Sequence, residues 1–431
     1  MEALVQHGAN PNAPNGDGNT PLHVAVAEDI RAPVAIMEAL VQHGANPNAS
    51  NGDGDTPLHL VATSINGGDV LAIAQILIDY GADPNLKNSA GETPLNSLTD
   101  TQWWSEGFEA ATVVLLRHGA DPNVRSVAVG SGTVVHDIVR KARTALTVTA
   151  MVEAGGDLEA TTESNEETPL HKAAADQDAS IVAVLVAAGA NVEARTREGS
   201  TPLHYAAGSA DSPDVLSVLI DAGANLEARN AYGRTPLHSA AGSTEVTDVL
   251  RALIDAGANL EARDENGRTP LHSVVAARGT DSAMYVAGLE GGFLQPQRSR
   301  EFSDAEDPVF LETLIAAGAD PEARDDGGDT PLHVAAALAR HPAMISTLIA
   351  AGADLEARNL NGRTPLHQAA RSGNTPNIIH AAVRSGARLD VQQSGGTTPL
   401  HLAAFGDSEG HVATVTALLE RAMVGSGVRM S

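Results

Sequence analysis

The chain has no cysteine, which excludes disulfides and thiolate metal sites. That absence gives no compartment, because a cysteine-free chain is stable in either redox state. Aromatic residues make up 3% of the 431 residues, too few for a conventional core of large side chains, whereas an Ala/Leu/Val/Ile core between thin helices needs few. No run approaches the ~18–20 apolar residues of a membrane span, so no membrane partner is expected. The N-terminus lacks the basic start and apolar stretch of a signal peptide. A cytoplasmic location is expected, with secretion as an effector lacking a recognisable signal kept as the other course. Basic residues are also scarce: 27 Lys and Arg stand against 54 Asp and Glu, a net charge of −27. Such a surface repels phosphate backbones, which argues against nucleic acid as a partner. Residues 1–86 hold one base, Arg31, against ten acids. That block serves solubility, or steers the chain toward a basic partner.

What the chain does have is repetition. Residues 222–241 contain every part of the unit. Gly223 suits the left-handed residue that ends a helix, and Tyr232-Gly233 supplies a turn between two short extended pieces. Thr235 is placed to cap the next helix with its hydroxyl, and Pro236 fits the first helical position. Ala240 and Ala241 are small enough for close helix packing. The Thr-Pro-Leu-His signature recurs, intact or damaged, from Thr20, Thr56, Thr93, Thr133, Thr168, Thr201, Thr235, Thr269, Thr330, Thr364 and Thr398. Successive spacings are 36, 37, 40, 35, 33, 34, 34, 61, 34 and 34 residues. This period and motif resemble the ankyrin repeat over almost the whole chain. The resemblance implies an all-α solenoid: helix-turn-helix units with projecting β-hairpins, wound into a right-handed superhelix of about eleven repeats.

Along the chain, residues 1–19 are expected to form an incomplete half repeat and its hairpin. Residues 1–23 and 37–59 are nearly identical, and Met1 aligns with Met37 inside a second helix, so the chain is expected to begin half-way through a unit. Residues 20–132 hold three repeats with a Pro-Asn hairpin, the third carrying both tryptophans, Trp103 and Trp104. Residues 133–167 form an irregular fourth repeat that has lost its proline. Residues 168–424 hold repeats five to eleven, with Leu-Glu-Ala or Glu-Ala-Arg hairpins and an insertion at about 278–307. Residues 425–431 are a tail. The last helix is expected to turn Val412, Val415, Leu418 and Leu419 inward.

Ten of the sixteen histidines occupy the signature slot. Stacked helices lie about 8–10 Å apart, too far for two such rings to share a zinc ion at ~2.0–2.1 Å. Each ring is instead expected to bridge polar backbone groups of adjacent hairpins. Asn15-Gly16-Asp17-Gly18-Asn19 and Asn51-Gly52-Asp53-Gly54-Asp55 have the alternating oxygens of a calcium loop but lack its final glutamate, and they occupy a hairpin-tip slot. No nucleophile elbow, phosphate loop, dinucleotide fingerprint or H-E-x-x-H occurs. No catalytic residue, metal ligand or cofactor is therefore expected. The Glu-Ala-Arg series places acid and base on one side of an extended strand. It reads as a ladder aligning successive hairpins, with recognition of acidic ligands as the alternative.

In the family that this chain resembles, partners sit on the concave face made by hairpin tips and first helices. By position in the motif, the resemblance implies contacts from Arg197, Glu198, Tyr205, Tyr232, Arg234, Glu265, Arg268, Leu360 and Arg363. Trp103 and Trp104 are a second candidate, since two tryptophans in an irregular loop are either an exposed contact or local packing. The expected function is a non-catalytic, monomeric scaffold that binds a protein partner in its groove. Two other courses stay open: a targeting module of a larger effector or enzyme, and an acidic mimic that inhibits a basic partner.

Overall fold

The structure, a computed structural model, describes residues 9–27, 33–63, 70–101, 104–126, 130, 132–176, 178–209, 213–242, 247–278, 307–338, 342–372, 376–406 and 409–426. The half repeat before residue 9, Trp103, most of the insertion and the tail from residue 427 lie outside them. The chain divides into two compact units, residues 1–197 and 198–431.

Each unit is built from helix pairs. In the first, the pairs include Pro21–Ala27 with Pro33–Gln42, Pro94–Asp100 with Glu106–Arg117, and Val134–Lys141 with Ala145–Glu153. In the second, Pro202–Ser209 pairs with Asp214–Asp221 and Pro236–Gly242 with Thr247–Asp255, and the pattern continues to Pro399–Ala404 with Glu409–Ser426. The first helix after Thr56 is a 3-10 turn, His59–Thr63. An all-α solenoid is what the repeat length predicts, since a pair of seven- to ten-residue helices cannot bury its apolar face alone. Leu237, Ala240 and Ala241 of one first helix are buried, as are Leu271, Val274 and Val275 of the next. Each buried leucine contributes roughly 1.5–3 kcal/mol. The alanines set the short distance at which these helices pack.

The expected β-hairpins take another form. Among the described residues there is no strand, and one isolated bridge joins Arg125 to Thr133. The arms between turn and helix are only a few residues long, and side chains replace the ladder. Asn230 Oδ1 accepts from the N–H groups of Tyr232 (3.0 Å) and Arg234 (3.1 Å), and Asn230 N–H donates to Arg234 O at 3.0 Å. Gly233 closes this turn at φ 70°. A Cβ there would stand 2.8 Å from the Glu265 nitrogen of the following tip, so only glycine permits the approach.

One expectation is extended and one corrected. The Thr235 hydroxyl engages the His238 ring at 2.9 Å, and the ring itself takes the Thr235 N–H at 3.2 Å. In the last helix Leu418 is buried, but Val412 is 68% exposed and Leu419 also faces outward. Thr414, Ala417 and Leu418 make the buried stripe, and residues seven apart, such as Val412 and Leu419, share the opposite face.

Candidate functional site

The outward surface depends on how tips are held, and that begins with the histidines. His238 Nδ1 accepts the Thr235 N–H, while Nε2 lies 3.0 Å from Arg268 O of the next repeat. A carbonyl only accepts, so Nε2 carries the proton and the ring is the neutral tautomer. The same bridge runs from His23 to Asp55, His59 to Glu92, His136 to Glu167, His204 to Arg234, His333 to Arg363 and His367 to Thr397. Burial pushes the His238 pKa down to about 4, against weaker support from the Arg268 carbonyl and Asp264. Where the signature reads Asn96, the amide substitutes: Oδ1 accepts from Thr93 N–H at 2.9 Å and Nδ2 donates to Arg125 O at 2.8 Å. His272 reaches Asp329 O at 3.1 Å across 57 residues, so repeats on either side of the insertion pair as direct neighbours.

A second tie lies one turn away. In the Pro-Asn repeats, Asn48 Nδ2 donates to Gly81 O (2.8 Å) and Oδ1 accepts from Asp83 N–H (2.7 Å). Asn12, Asn85 and Asn123 repeat this pair of bonds. In the later repeats the glutamate two places before each arginine takes over the accepting half: Glu227 from Asn259 N–H, Glu322 from Asp354 N–H and Glu356 from Arg388 N–H. The two hairpin styles are thus one device in two chemistries. The arginine adds a further bond, Arg324 Nη1 to Arg358 O at 2.6 Å and Arg358 Nη1 to Gln392 O at 2.8 Å. The expected ladder exists, but its acids and bases reach the neighbouring backbone. The alternating oxygens of Asn15 and Asn51 are likewise turned on their own loops, accepting from Asp17 and Asn19, and from Asp53 and Asp55.

These ties sort the candidate residues. In the second unit, Tyr232 and Glu265 sit on successive tips joined by Glu265 N–H to Tyr232 O at 3.0 Å. Glu265 is exposed, and Tyr205 and Tyr232 are half-buried. Leu360 is 78% exposed on a tip whose N–H donates to Gly327 O at 3.0 Å. Three arginines turn between repeats instead: Arg234 lies 4.0 Å from Asp264, Arg268 3.8 Å from Asp325, and Arg363 Nε donates to Gln393 at 2.8 Å. The Glu198 carbonyl accepts from Ala231 N–H at 2.7 Å. In the first unit, Arg197 is exposed and its guanidinium donates to Ser164 O at 2.9 Å.

Trp104 is half-buried beside side chains from the following repeat. Lys141 Nζ lies 5.9 Å from its ring centroid, and Arg143 Nη2 donates to its carbonyl at 3.3 Å. Asp100, Thr101, Arg140 and these three line a recess of about 590 Å³. Lys141 and Arg143 carry no motif; their only sequence signal is a spacing of about one repeat from Trp104. Leu146, another exposed apolar residue at 54%, also escaped the motif because it belongs to a second helix.

Among the described residues no helix is long and apolar enough to cross a membrane. Models of ankyrin repeats match residues 135–230, 210–287, 303–393 and 336–427 (the three-copy description), and 4–61 and 40–96 (the many-copy description). No curated protein matches the chain. Among solved structures, the ankyrin repeat domain of human ASB11 is similar at 26% identity with a TM-score of 0.46, covering 59% of this chain and 98% of that one. With its capped helix pairs, bridging histidines and family matches over most of its length, this chain belongs to the ankyrin-repeat family.

Proposed function

We propose that this chain is a non-catalytic scaffold that grips a protein partner through side chains carried on its hairpin tips and first helices. Ankyrin repeats are in general protein–protein interaction modules. The observation that carries the finer reading is Leu360, an apolar side chain held 78% exposed on a tip whose backbone is tied to the preceding one. A tip fixed in this way loses little ordering entropy on docking. In the second unit the contact set is Glu198, Tyr205, Tyr232, Glu265 and Leu360, with Arg234, Arg268 and Arg363 supporting the tips. Arg197, Trp103 and Trp104 form the candidate contacts of the first unit. A monomeric state and cytoplasmic residence belong to the same proposal, as do the repeat boundaries given above.

The test is recovery of partners from the cells that make this protein, with Tyr232→Ala/Leu360→Asp compared against the unaltered chain. Truncating central contacts costs about 2 kcal/mol or more when they are hot spots. Recovery of a specific partner is expected to fall roughly tenfold or more. Unchanged recovery by a variant with an unaltered thermal melt would refute the assigned surface.

A further inference from the structure

The chain carries five Asn-Gly dipeptides, beginning at Asn15, Asn51, Asn66, Asn266 and Asn361, of which Asn66-Gly67 lies outside the described residues. An asparagine followed by glycine is open to attack on its own side chain, because no Cβ on the next residue shields the backbone nitrogen from the amide carbon Cγ. Whether the attack occurs depends on what that nitrogen is doing. In three of the four described dipeptides it is spent. Gly267 N–H donates to Asp264 O at 3.0 Å and Gly362 N–H to Asn359 O at 2.8 Å, each closing its own turn. Gly52 N–H donates to Asp17 O of the preceding tip at 2.9 Å. Gly16 holds the same place in its turn as Gly52, but on the first described tip, and its N–H has no acceptor among the described residues.

Asn15 and Asn51 form a matched pair, each opening the sequence Asn-Gly-Asp-Gly. Asn15 Oδ1 accepts from the N–H groups of Asp17 (3.0 Å) and Asn19 (2.9 Å), and Asn51 Oδ1 from those of Asp53 (3.0 Å) and Asp55 (2.9 Å). Two fixed donors on that oxygen stand where negative charge gathers when Cγ is attacked. At Asn51 the leaving amine is also held, since Nδ2 donates to Asn19 Oδ1 at 2.9 Å. Asn15 Nδ2 makes no such bond among the described residues. Asn15 and Gly16 are both exposed, and a Cβ added at Gly16 would meet nothing within 4 Å, so water reaches the site.

We propose that Asn15 is a self-modifying site that loses its amide through ring closure by Gly16, while the first tip protects Asn51. The Gly16 nitrogen gives its proton to hydroxide and bonds to Asn15 Cγ, and the charge passes to Oδ1 between the Asp17 and Asn19 N–H groups. As the Cγ=O bond re-forms, the Cγ–Nδ2 bond breaks and the nitrogen takes up a proton and leaves as ammonia. Water then opens the five-membered imide. Breaking the new Cγ–N bond leaves an aspartyl residue, and breaking the original peptide bond leaves an isoaspartyl one. The net reaction consumes one water and releases one ammonia, with no change of oxidation state. The isoaspartyl product carries an extra methylene in the main chain. The bonds from residue 15 N–H to Asn19 O (2.9 Å) and from Gly18 N–H to residue 15 O (3.1 Å) then no longer fit together. Loosening that turn withdraws Asp17 O from Gly52 and Asn19 from Asn51, so modification of Asn51 follows that of Asn15.

The experiment is incubation of the full chain in mildly alkaline buffer, with tandem mass spectrometry following amide-to-acid conversion at each asparagine. In the folded chain Asn15 converts about fivefold or more faster than Asn51, Asn266 and Asn361, the rate equivalent of one ordinary hydrogen bond on the attacking nitrogen. In urea the rates at Asn15 and Asn51 draw level, because their local sequences match. Gly16→Ala slows conversion at Asn15 without altering the thermal melt, since the space beside Gly16 is open and Ala231 already fills this place in a later repeat. Conversion at Asn51 lags and then accelerates as isoaspartate accumulates at position 15, and the acceleration is absent in Gly16→Ala. Equal rates at Asn15 and Asn51 in the folded chain, or an excess at Asn15 that persists in urea, would overturn the proposal. A steady Asn51 rate that ignores Gly16→Ala would overturn the protection by the first tip.

Discussion

At the residue scale the repeated histidine is where stability is most exposed to pH. His238 is packed among Asp264, Arg234 and Arg229, with its Nδ1 spent on Thr235 and its Nε2 on Arg268 O. A proton added to Nδ1 would destroy an acceptor and place a charge in a dry site. Its folded pKa is about 4, against 6.5 for the unfolded ring, so the unfolded chain takes up the proton first. Stability is therefore intact above pH 6.5 and is lost as pH falls toward about 4. His238 alone accounts for about 3 kcal/mol of this loss by pH 4. His23, His59, His136, His272, His333 and His367 shift in the same direction, also through burial. Urea denaturation between pH 7 and 4 is expected to show a steep fall in midpoint, made shallower in His238→Asn. Asn96 shows that an amide makes the same two bonds without titrating. A midpoint independent of pH would contradict the buried neutral ring.

At the scale of the element, a hairpin here is a pair of side-chain clips in place of a ladder. The helices were legible because threonine, proline and leucine at fixed positions state their own starts. The clips were harder to see. Asn85 looks like an ordinary turn residue, and its two bonds go to Gly119 O and Asp121 N–H, more than thirty residues on. Asn85→Ala is expected to cost about 1–2 kcal/mol, two hydrogen bonds of ordinary strength at an exposed site. Hydrogen exchange should locate the loss, with faster exchange at the Asp121 amide and little change two repeats away. Asn85→Asp keeps the accepting oxygen and should protect that amide, as Glu227 does for Asn259. Uniform acceleration across the first unit would mean that the tie is not local. The candidate arginines follow the same rule. Arg234, Arg268 and Arg363 occupy turn positions that look free, but an acid or amide one repeat on draws each inward.

For the molecule as a whole, charge is the dominant global quantity. A net charge of −27 leaves the folded chain repelling itself, and the repeats offer 27 bases in compensation. Raising ionic strength from about 10 mM to about 150 mM shortens the screening length from roughly 30 Å to 8 Å. Thermal melts across this range are expected to move upward. A downward shift would show that attractive pairs, such as those of Arg388 with Asp390 and Arg251 with Asp248, outweigh the repulsion.

The sequence by itself determined the family, the helix starts and the repeat register, because each of these is set by neighbours within one unit. It also marked Trp104 as unusual. Only the tertiary structure decided which polar side chains are tied to the next repeat. A side chain on one tip finds its acceptor about 30 residues later, and the distance that matters is the few ångströms between stacked repeats. That spacing spends Arg363 on Gln393, leaves Leu360 in solvent, and brings Lys141 and Arg143 to the edge of Trp104.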